Sequence, residues 1–265
     1  MFKSITVLIP VFNDQEVLPE LHRRLKAVLD KDWQDYEMIL VDDGSGDSSW
    51  QEIEALHKQD DRIVGIRLMR NFGQQNAIAA GLDYAGGDVV VIMDSDLQDR
   101  PEDIPRLVQA LEENDASMAI ARWKSRKDSW FKLAVSRLFY SVSKKITNIR
   151  HEPNLAVFRA IKREVIEELR KYPEKTSTTL SLLYWIGVDY VAVDLERDPR
   201  FAGKSGYSLK KMIKLTADRI FSFSMFPIRA AILAGTLISA LSFFTGMVLI
   251  IRRMMGLVAP GWTSM

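Results

Sequence analysis

The sequence predicts an α/β protein built on a Rossmann-like, mostly parallel sheet, followed by an amphipathic interfacial helix and a transmembrane helix. Three observations carry that prediction. Short apolar runs alternate with segments of helical spacing through the first 121 residues. Polar residues collect where the apolar runs end. Residues 230–251, AAILAGTLISALSFFTGMVLII, carry no charge over 22 positions.

The apolar runs at residues 5–9 (ITVLI), 36–41 (YEMILV), 63–68 (IVGIRL), 88–93 (DVVVIM) and 116–121 read as strands. Between them, Val17/Leu21/Leu25/Val28/Leu29, Trp50/Ile53/Leu56, Ala77/Ala80/Leu82 and Ile104/Leu107/Val108/Leu111 repeat at helical spacing. Pro101 with Glu102 and Asp103 suits a helix start, because proline fits the first turn and acids favour its positive end. Near-continuous apolar strands separated by helices imply a parallel sheet covered on both faces, with ligands bound beyond the carboxyl ends of its strands. Further on, the pattern predicts a basic helix over 130–147, a strand near 155–158, helices over 162–171 and 178–186, and a strand over 190–195. Residues 208–223 form a basic amphipathic stretch suited to a membrane interface, and 22 uncharged residues as a helix cross a bilayer core of about 30 Å.

Composition narrows the classes. The chain has 265 residues, 47% hydrophobic and 27% charged, which describes a folded protein and excludes a disordered one. Net charge is +1, but nine Lys or Arg stand against one acid between Arg122 and Arg150. That run is either a solvated helix face or a surface for lipid or phosphate. No nucleic-acid-binding signature accompanies it. Cysteine is absent, so disulfides and thiolate metal sites are excluded. The N-terminus lacks the length and cleavage site of a signal peptide, so the catalytic part is expected in the cytoplasm.

The predicted strands end in chemistry. The first ends in Pro10-Val11-Phe12-Asn13-Asp14, the second in Asp42-Asp43-Gly44-Ser45, and the fourth in Asp94-Ser95-Asp96-Leu97-Gln98-Asp99. Asp94 and Asp96 flank one residue, a spacing that can hold Mg²⁺ or Mn²⁺ while leaving positions for phosphate oxygens. An acidic strand-to-helix turn without metal is the alternative. A dinucleotide fold would need G-x-G-x-x-G after the first strand, and that motif is missing. Asp42 is then an acid placed to hold a base or ribose.

Together, IPVFNDQEVL, ILVDDGSGDSSW, RNFGQQNAIAAGLDYAGGDVVVIMDSDLQDRPEDIP and RFAGKSGYSLKKMIKL resemble the family 2 inverting glycosyltransferases of GT-A fold. Within them the chain resembles the polyprenyl-phosphate branch, which includes dolichol-phosphate mannose synthases and bactoprenol glucosyltransferases. The resemblance implies a nucleotide pocket of Pro10, Phe12, Asp14, Asp42 and Gly73, with Asp94, Asp96 and Gln98 at the metal and diphosphate. Arg122 and Lys132 match basic groups near the acceptor, and Arg200 and Ser205 match a loop closing over the donor. Asp96, Arg122, Lys132, Arg200 and Ser205 are thus the expected catalytic set. The chain departs from the pattern at three places. Ser205-Gly206 replaces Ser-Lys, with Lys204 nearby. Ala156-Val157-Phe158-Arg159 replaces Gly-Asp-Phe-Arg, leaving Glu152 as the closest acid upstream. The chain also ends at a PGW turn beyond which relatives carry a second transmembrane helix, as a fragment would.

The resemblance implies transfer of a sugar, glucose first, with inversion, from a nucleotide-diphospho sugar to polyprenyl (undecaprenyl) phosphate for cell-envelope glycan or O-antigen modification. The donor is expected to be a UDP-sugar, with a GDP-sugar as the alternative. The expected organisation is a catalytic domain over 1–207, an interfacial helix over 208–227, and a transmembrane helix with a short tail over 228–265, in the inner membrane with the catalytic domain facing the cytoplasm. A homo-oligomer is compatible with this reading. Two alternatives stand beside it: a membrane-anchored glycosyltransferase acting on a saccharide or lipid hydroxyl, and an inactive membrane scaffold.

Overall fold

A computed structural model of the chain describes residues 2–123, 155–172, 179–199 and 226–256. The chain divides into two units, Met1–Arg219 and Ile220–Met265.

In the first unit, β1 (Ser4–Val11), α1 (Leu18–Asp32), β2 (Asp35–Asp42), α2 (Ser49–Gln59), β3 (Ile63–Arg67), α3 (Gln74–Leu82) and β4 (Val89–Ile92) alternate as the periodicity predicts. A 3₁₀ turn at Pro101–Asp103 leads into α4 (Ile104–Asn114), then β5 (Met118–Trp123), β6 (Leu155–Lys162), α5 (Arg163–Arg170), α6 (Thr179–Trp185) and β7 (Tyr190–Leu195). The fifth strand starts two residues later than the apolar run. Asp115 is left-handed at the end of α4, and the Ala116 N–H returns to the Leu111 carbonyl, so this segment closes the helix before the strand begins. The basic stretches expected as helices over 130–147 and 208–223 lie outside the described residues.

The seven strands form one sheet in the order β3-β2-β1-β4-β6-β5-β7. Every pairing is parallel except those of β6, which runs antiparallel to β4 and β5. The mostly parallel sheet expected from the sequence is therefore present. Its central strands are buried on both faces, with all four residues of β4 inaccessible and seven of eight in β1 buried, which is why they read as unbroken apolar runs. Leu18, Leu21, Leu25 and Leu29 of α1 cover one face, joined by Ile104, Leu107 and Leu111 of α4. Each such side chain contributes roughly 1.5–3 kcal/mol by leaving water.

In the second unit, α7 (Phe226–Met254) contains the uncharged span. Among the described residues, Ile228–Met254 is the one helix long and apolar enough to cross a membrane, and most of its large side chains, such as Ile232, Leu241 and Phe244, are more than half exposed. Its 29 residues rise about 1.5 Å each, more than a bilayer core requires.

At the amino edge of the sheet, Arg62 holds the buried Asp60 through two guanidinium bonds of 2.8 and 2.9 Å. That pairing keeps the Asp60 carboxyl down at about 2, despite burial pulling the other way. A depressed carboxylate stabilises the fold above its unfolded pKa, and the contribution fades as pH falls from about 4 to about 2. Arg62→Ala should therefore lower unfolding free energy by about 1–2 kcal/mol at pH 7, a figure reduced because Arg62 is a third exposed. Denaturation at pH 2.5 should show that difference largely closed.

Candidate active site

Strand register sets up the site. Val11 lies beside Asp42, Asp42 beside Arg67, Leu8 beside Ile92, and Trp123 beside Leu195. The loops after β1, β2, β3, β4, β5 and β7 therefore leave from one edge of the sheet, the carboxyl edge where α/β proteins bind ligands.

The first three loops are laced by polar contacts. Asn13, in left-handed backbone, donates its N–H to Ser45 Oγ at 2.9 Å, and its Oδ1 accepts the Gly46 N–H at 2.8 Å. The Asp14 N–H reaches Ser49 Oγ at 2.9 Å, and the Gln15 side-chain carbonyl accepts the Ser48 N–H at 2.7 Å. Asp43 accepts the backbone N–H groups of Phe72 at 2.7 Å and Gly73 at 2.9 Å, one on each carboxylate oxygen. Gly44 lets these loops close. Its φ is +66°, and a Cβ there would lie 2.4 Å from the Arg70 carbonyl carbon. Phe12 and Phe72 remain about half exposed on this edge, Phe72 beneath the Arg70 guanidinium.

Asp42 has no accessible surface. Its Oδ1 accepts the Ser45 N–H, while Oδ2 is buried with no hydrogen-bond partner, 3.7 Å from Arg67 Nε. An orphaned buried carboxylate oxygen costs about 1–3 kcal/mol or more, and it is a natural acceptor for an N–H or O–H of a bound base or sugar.

The acidic turn begins as β4 leaves the sheet. The Met93 N–H still bonds to the Leu8 carbonyl, and the chain then turns outward at Asp94. Asp94 accepts the Gln74 side-chain amide at 2.5 Å, and Ser95 Oγ donates to Asp14 at 2.5 Å, tying this turn to the β1 loop. Asp96 is buried and accepts the Gln98 N–H at 3.1 Å across Leu97, which adopts φ +56°. Asp99 is also buried. Burial first, then the Asp94 charge, with Asp96 adding to it against the pull of Arg197, pushes its carboxyl up to about 8. Its Oδ1 has no hydrogen-bond partner.

Among the described residues, no three acidic or imidazole side chains converge to hold an ion by themselves. Two carboxylates on one turn still suit Mg²⁺ or Mn²⁺, which take one or two protein carboxylates and complete their shell with phosphate and water. The like charges crowded around Asp99 are the environment a divalent cation relieves, so the residues fit the group.

Beyond β4, the β5–β6 register slips between Ile120 and Arg122. This irregularity frees carbonyls in β6, and buried Arg159 takes up those of Ala156 at 2.6 Å and Val157 at 2.9 Å. Val157, half-buried, thus occupies an irregular part of the strand facing this edge.

The sequence-predicted residues Pro10, Phe12, Asp14, Asp42, Gly73, Asp94, Asp96, Gln98 and Arg122 all lie on the carboxyl edge. Arg122 pairs there with Asp194 at 2.6 Å. Lys132, Arg200 and Ser205 lie outside the described residues, as do Arg126, Arg137, Lys204, Gly206 and Glu152. Sequence reasoning placed Asn13, Asp43, Ser95 and Asp99 at the strand ends without giving them a role, and assigned none to Gln74 or Arg159. The Asp-Gly dipeptide after β2 was a usable turn signal for the Asp43 loop, but partners 20 to 80 residues apart had none.

Glycosyl transferase family 2 matches residues 6–170. An undecaprenyl-phosphate 4-deoxy-4-formamido-L-arabinose transferase of Edwardsiella ictaluri is 33% identical, covering 99% of this chain and 81% of that protein. A bactoprenol glucosyl transferase of Shigella phage SfX is 33% identical over 99% of this chain and 86% of its own. Among solved structures, glucosyl-3-phosphoglycerate synthase from Mycobacterium tuberculosis, in complex with Mn²⁺, UDP-glucose and phosphoglyceric acid, superposes with a TM-score of 0.60. It is 18% identical, over 82% of this chain and 77% of that one, and so speaks to the fold alone.

The laced loops generate a test. Gly44→Ala forces a β-carbon into the Arg70 backbone at a left-handed position, at a cost of about 2 kcal/mol or more. Thermal unfolding should fall by about 5 °C, and nucleotide binding, followed by calorimetry, should weaken at least about tenfold as the loops separate.

Proposed function

The chain belongs to glycosyl transferase family 2 and is a glycosyltransferase of GT-A-like fold; from that premise we propose that it moves a sugar from a nucleotide-diphospho sugar onto polyprenyl phosphate, using Mg²⁺ or Mn²⁺. UDP-glucose is the proposed donor and undecaprenyl phosphate the proposed acceptor. The observation that carries the reading is the acidic turn at the carboxyl edge, half-buried Asp94 and buried Asp96, on the same edge as the Asp42 oxygen that lacks a hydrogen bond. Relatives named for undecaprenyl-phosphate and bactoprenol transfer, similar along nearly the whole chain, support the acceptor.

In this reading, Asp94 and Asp96 would hold the cation, with Gln98 beside it, and the bound ion would supply charge to the departing diphosphate. Pro10, Phe12, Asp14, Asp42 and Gly73 receive the nucleotide. An oxygen of the acceptor phosphate attacks the anomeric carbon as the bond from that carbon to the β-phosphate oxygen breaks. The nucleoside diphosphate leaves with the electron pair, and the configuration inverts. No proton need be removed, because a phosphate monoester is already anionic at neutral pH. The acceptor requires positive charge and alignment, which Arg122 and Lys132 would provide, with Arg200 and Ser205 closing over the donor. Val157 at the position where the resembled branch keeps an aspartate accords with a reaction that needs no carboxylate base.

The proposed organisation is a catalytic domain over 1–207, an interfacial helix over 208–227 and a transmembrane segment within 228–265. The basic residues before α7 favour the cytoplasmic side of the inner membrane. A prenyl acceptor gives such an anchor a purpose, since it confines both substrate and enzyme to one surface.

The test offers purified protein labelled nucleotide sugars with undecaprenyl phosphate or free undecaprenol. Metal-dependent transfer to the phosphate and not to the alcohol is expected. Asp94→Asn and Asp96→Asn should each lower turnover by at least about a hundredfold. Efficient transfer to the free hydroxyl would replace this reading with one in which the chain extends a glycan or glycolipid. Normal turnover in both variants would remove the metal from Asp94 and Asp96.

A further inference from the structure

The segment following β7 runs back over the acidic turn. The Asp198 N–H donates to the Gln98 carbonyl at 3.0 Å, and the Gln98 side-chain amide returns a bond to the Asp198 carbonyl at 3.3 Å. The Asp198 carboxylate forms an ion pair with Arg100. One residue earlier, Arg197 lies 3.8 Å from Asp99 and stacks over Trp123 at 5.4 Å. The strand supplying this segment, β7, is parallel to β5, so its carboxyl end reaches the edge where the acidic turn emerges.

This clasp grips a strained piece of backbone. Leu97, between Asp96 and Gln98, has φ +56°, a region that disfavours a bulky non-glycine residue. Such a conformation persists only when its surroundings over-determine it. Three devices do so here: the Leu97 side chain is buried, the Asp96 carboxylate accepts the Gln98 N–H, and Asp198 holds Gln98 and Arg100 from the other side. The first two are local. The third comes from about 100 residues further along the chain.

We propose that Arg100 and Asp198 are positioning residues for the metal: their ion pair, with the two-way Gln98–Asp198 contact, holds the Asp94–Arg100 turn in the conformation that presents Asp96. This rests on the metal reading of Asp94 and Asp96 above. It also gives Gln98 a duty of its own, as the residue through which the clasp reaches the turn. Ligand-orienting partners of this kind usually change metal affinity by about ten- to a hundredfold. As a stability device the pair would matter little, since Arg100 and Asp198 are 37% and 31% exposed and pairs at such exposure are close to neutral for folding.

Charge and positioning make opposite forecasts for Arg100→Ala. Removing a cation from the turn that carries Asp94 and Asp96 should strengthen binding of a divalent cation if only electrostatics operate. Loss of the clasp should weaken it. Detergent-solubilised full-length protein would be titrated with Mn²⁺ alone, free ion being counted by electron paramagnetic resonance, alongside Asp96→Asn, Asp198→Ala and the Arg100→Ala/Asp198→Ala double variant. Wild type is expected to bind and Asp96→Asn to lose binding. Arg100→Ala and Asp198→Ala should each bind about tenfold more weakly, the double variant no worse than either, and thermal midpoints should be nearly unchanged. Unchanged or tighter binding in Arg100→Ala, or losses that simply add in the double variant, would overturn the clasp while leaving the metal site standing. Absence of binding in wild type would overturn the metal reading and the clasp with it.

Discussion

Asp43 accepts two backbone N–H groups from the β3–α3 loop, at 2.7 and 2.9 Å, and much of the carboxyl edge follows from contacts of that kind. A carboxylate placed at the end of a buried strand cannot remain without donors. On this edge Asp42, Asp43, Asp94, Asp96 and Asp99 all stand near strand ends, with Asp42, Asp43, Asp96 and Asp99 buried. Donors come from the same loop, Ser45 to Asp42 and Gln98 to Asp96, or from a neighbouring one, Phe72 and Gly73 to Asp43 and Gln74 to Asp94. Each contact satisfies a charge, and those to Asp43 and Asp94 also fix one loop against the next. Where the donors run short, at Asp42 Oδ2 and Asp99 Oδ1, the edge has capacity left for a ligand.

The same logic separates what the sequence revealed from what it concealed. The strands were legible because β1, β2 and β4 are buried on both faces and so admit almost nothing polar. The helices α1, α2 and α4 were legible because each buries a single face, as α1 does with Leu18, Leu21, Leu25 and Leu29. Asp94 and Asp96 stood out as a short motif directly after a buried strand. Less legible was anything resting on pairing across the chain. The β5 boundary moved because a left-handed Asp115 closes α4, and the antiparallel course of β6 depends on which neighbours it meets rather than on its own pattern. The pairings of Asp99 with Arg197 and of Asp198 with Arg100 had no sequence signal, since the partners stand 98 residues apart along the chain.

Chemistry and anchoring converge on one kind of acceptor. The acidic turn suits a cation and a diphosphate, while α7 offers an apolar span of the length that a membrane requires. An acceptor that carries its own negative charge and is held in a membrane meets both conditions. In the proposed reaction, Val157 at the place where the resembled branch keeps an aspartate removes nothing needed, because the attacking oxygen has no proton to surrender. The irregular β6 strand around Val157 is meanwhile secured by Arg159, which satisfies the carbonyls the slipped register leaves open.

The central claim is that the acceptor phosphate oxygen attacks the anomeric carbon and displaces a nucleoside diphosphate. Phosphorus-31 NMR of the purified lipid product, made from undecaprenyl phosphate labelled with ¹⁸O on its non-bridging oxygens, tests it most directly. The account requires a single phosphodiester phosphorus in the product, with label in the bridge to the sugar, inverted anomeric configuration and nucleoside diphosphate as co-product. A lipid carrying a diphosphate, with nucleoside monophosphate released, would place the attack on phosphorus and contradict it.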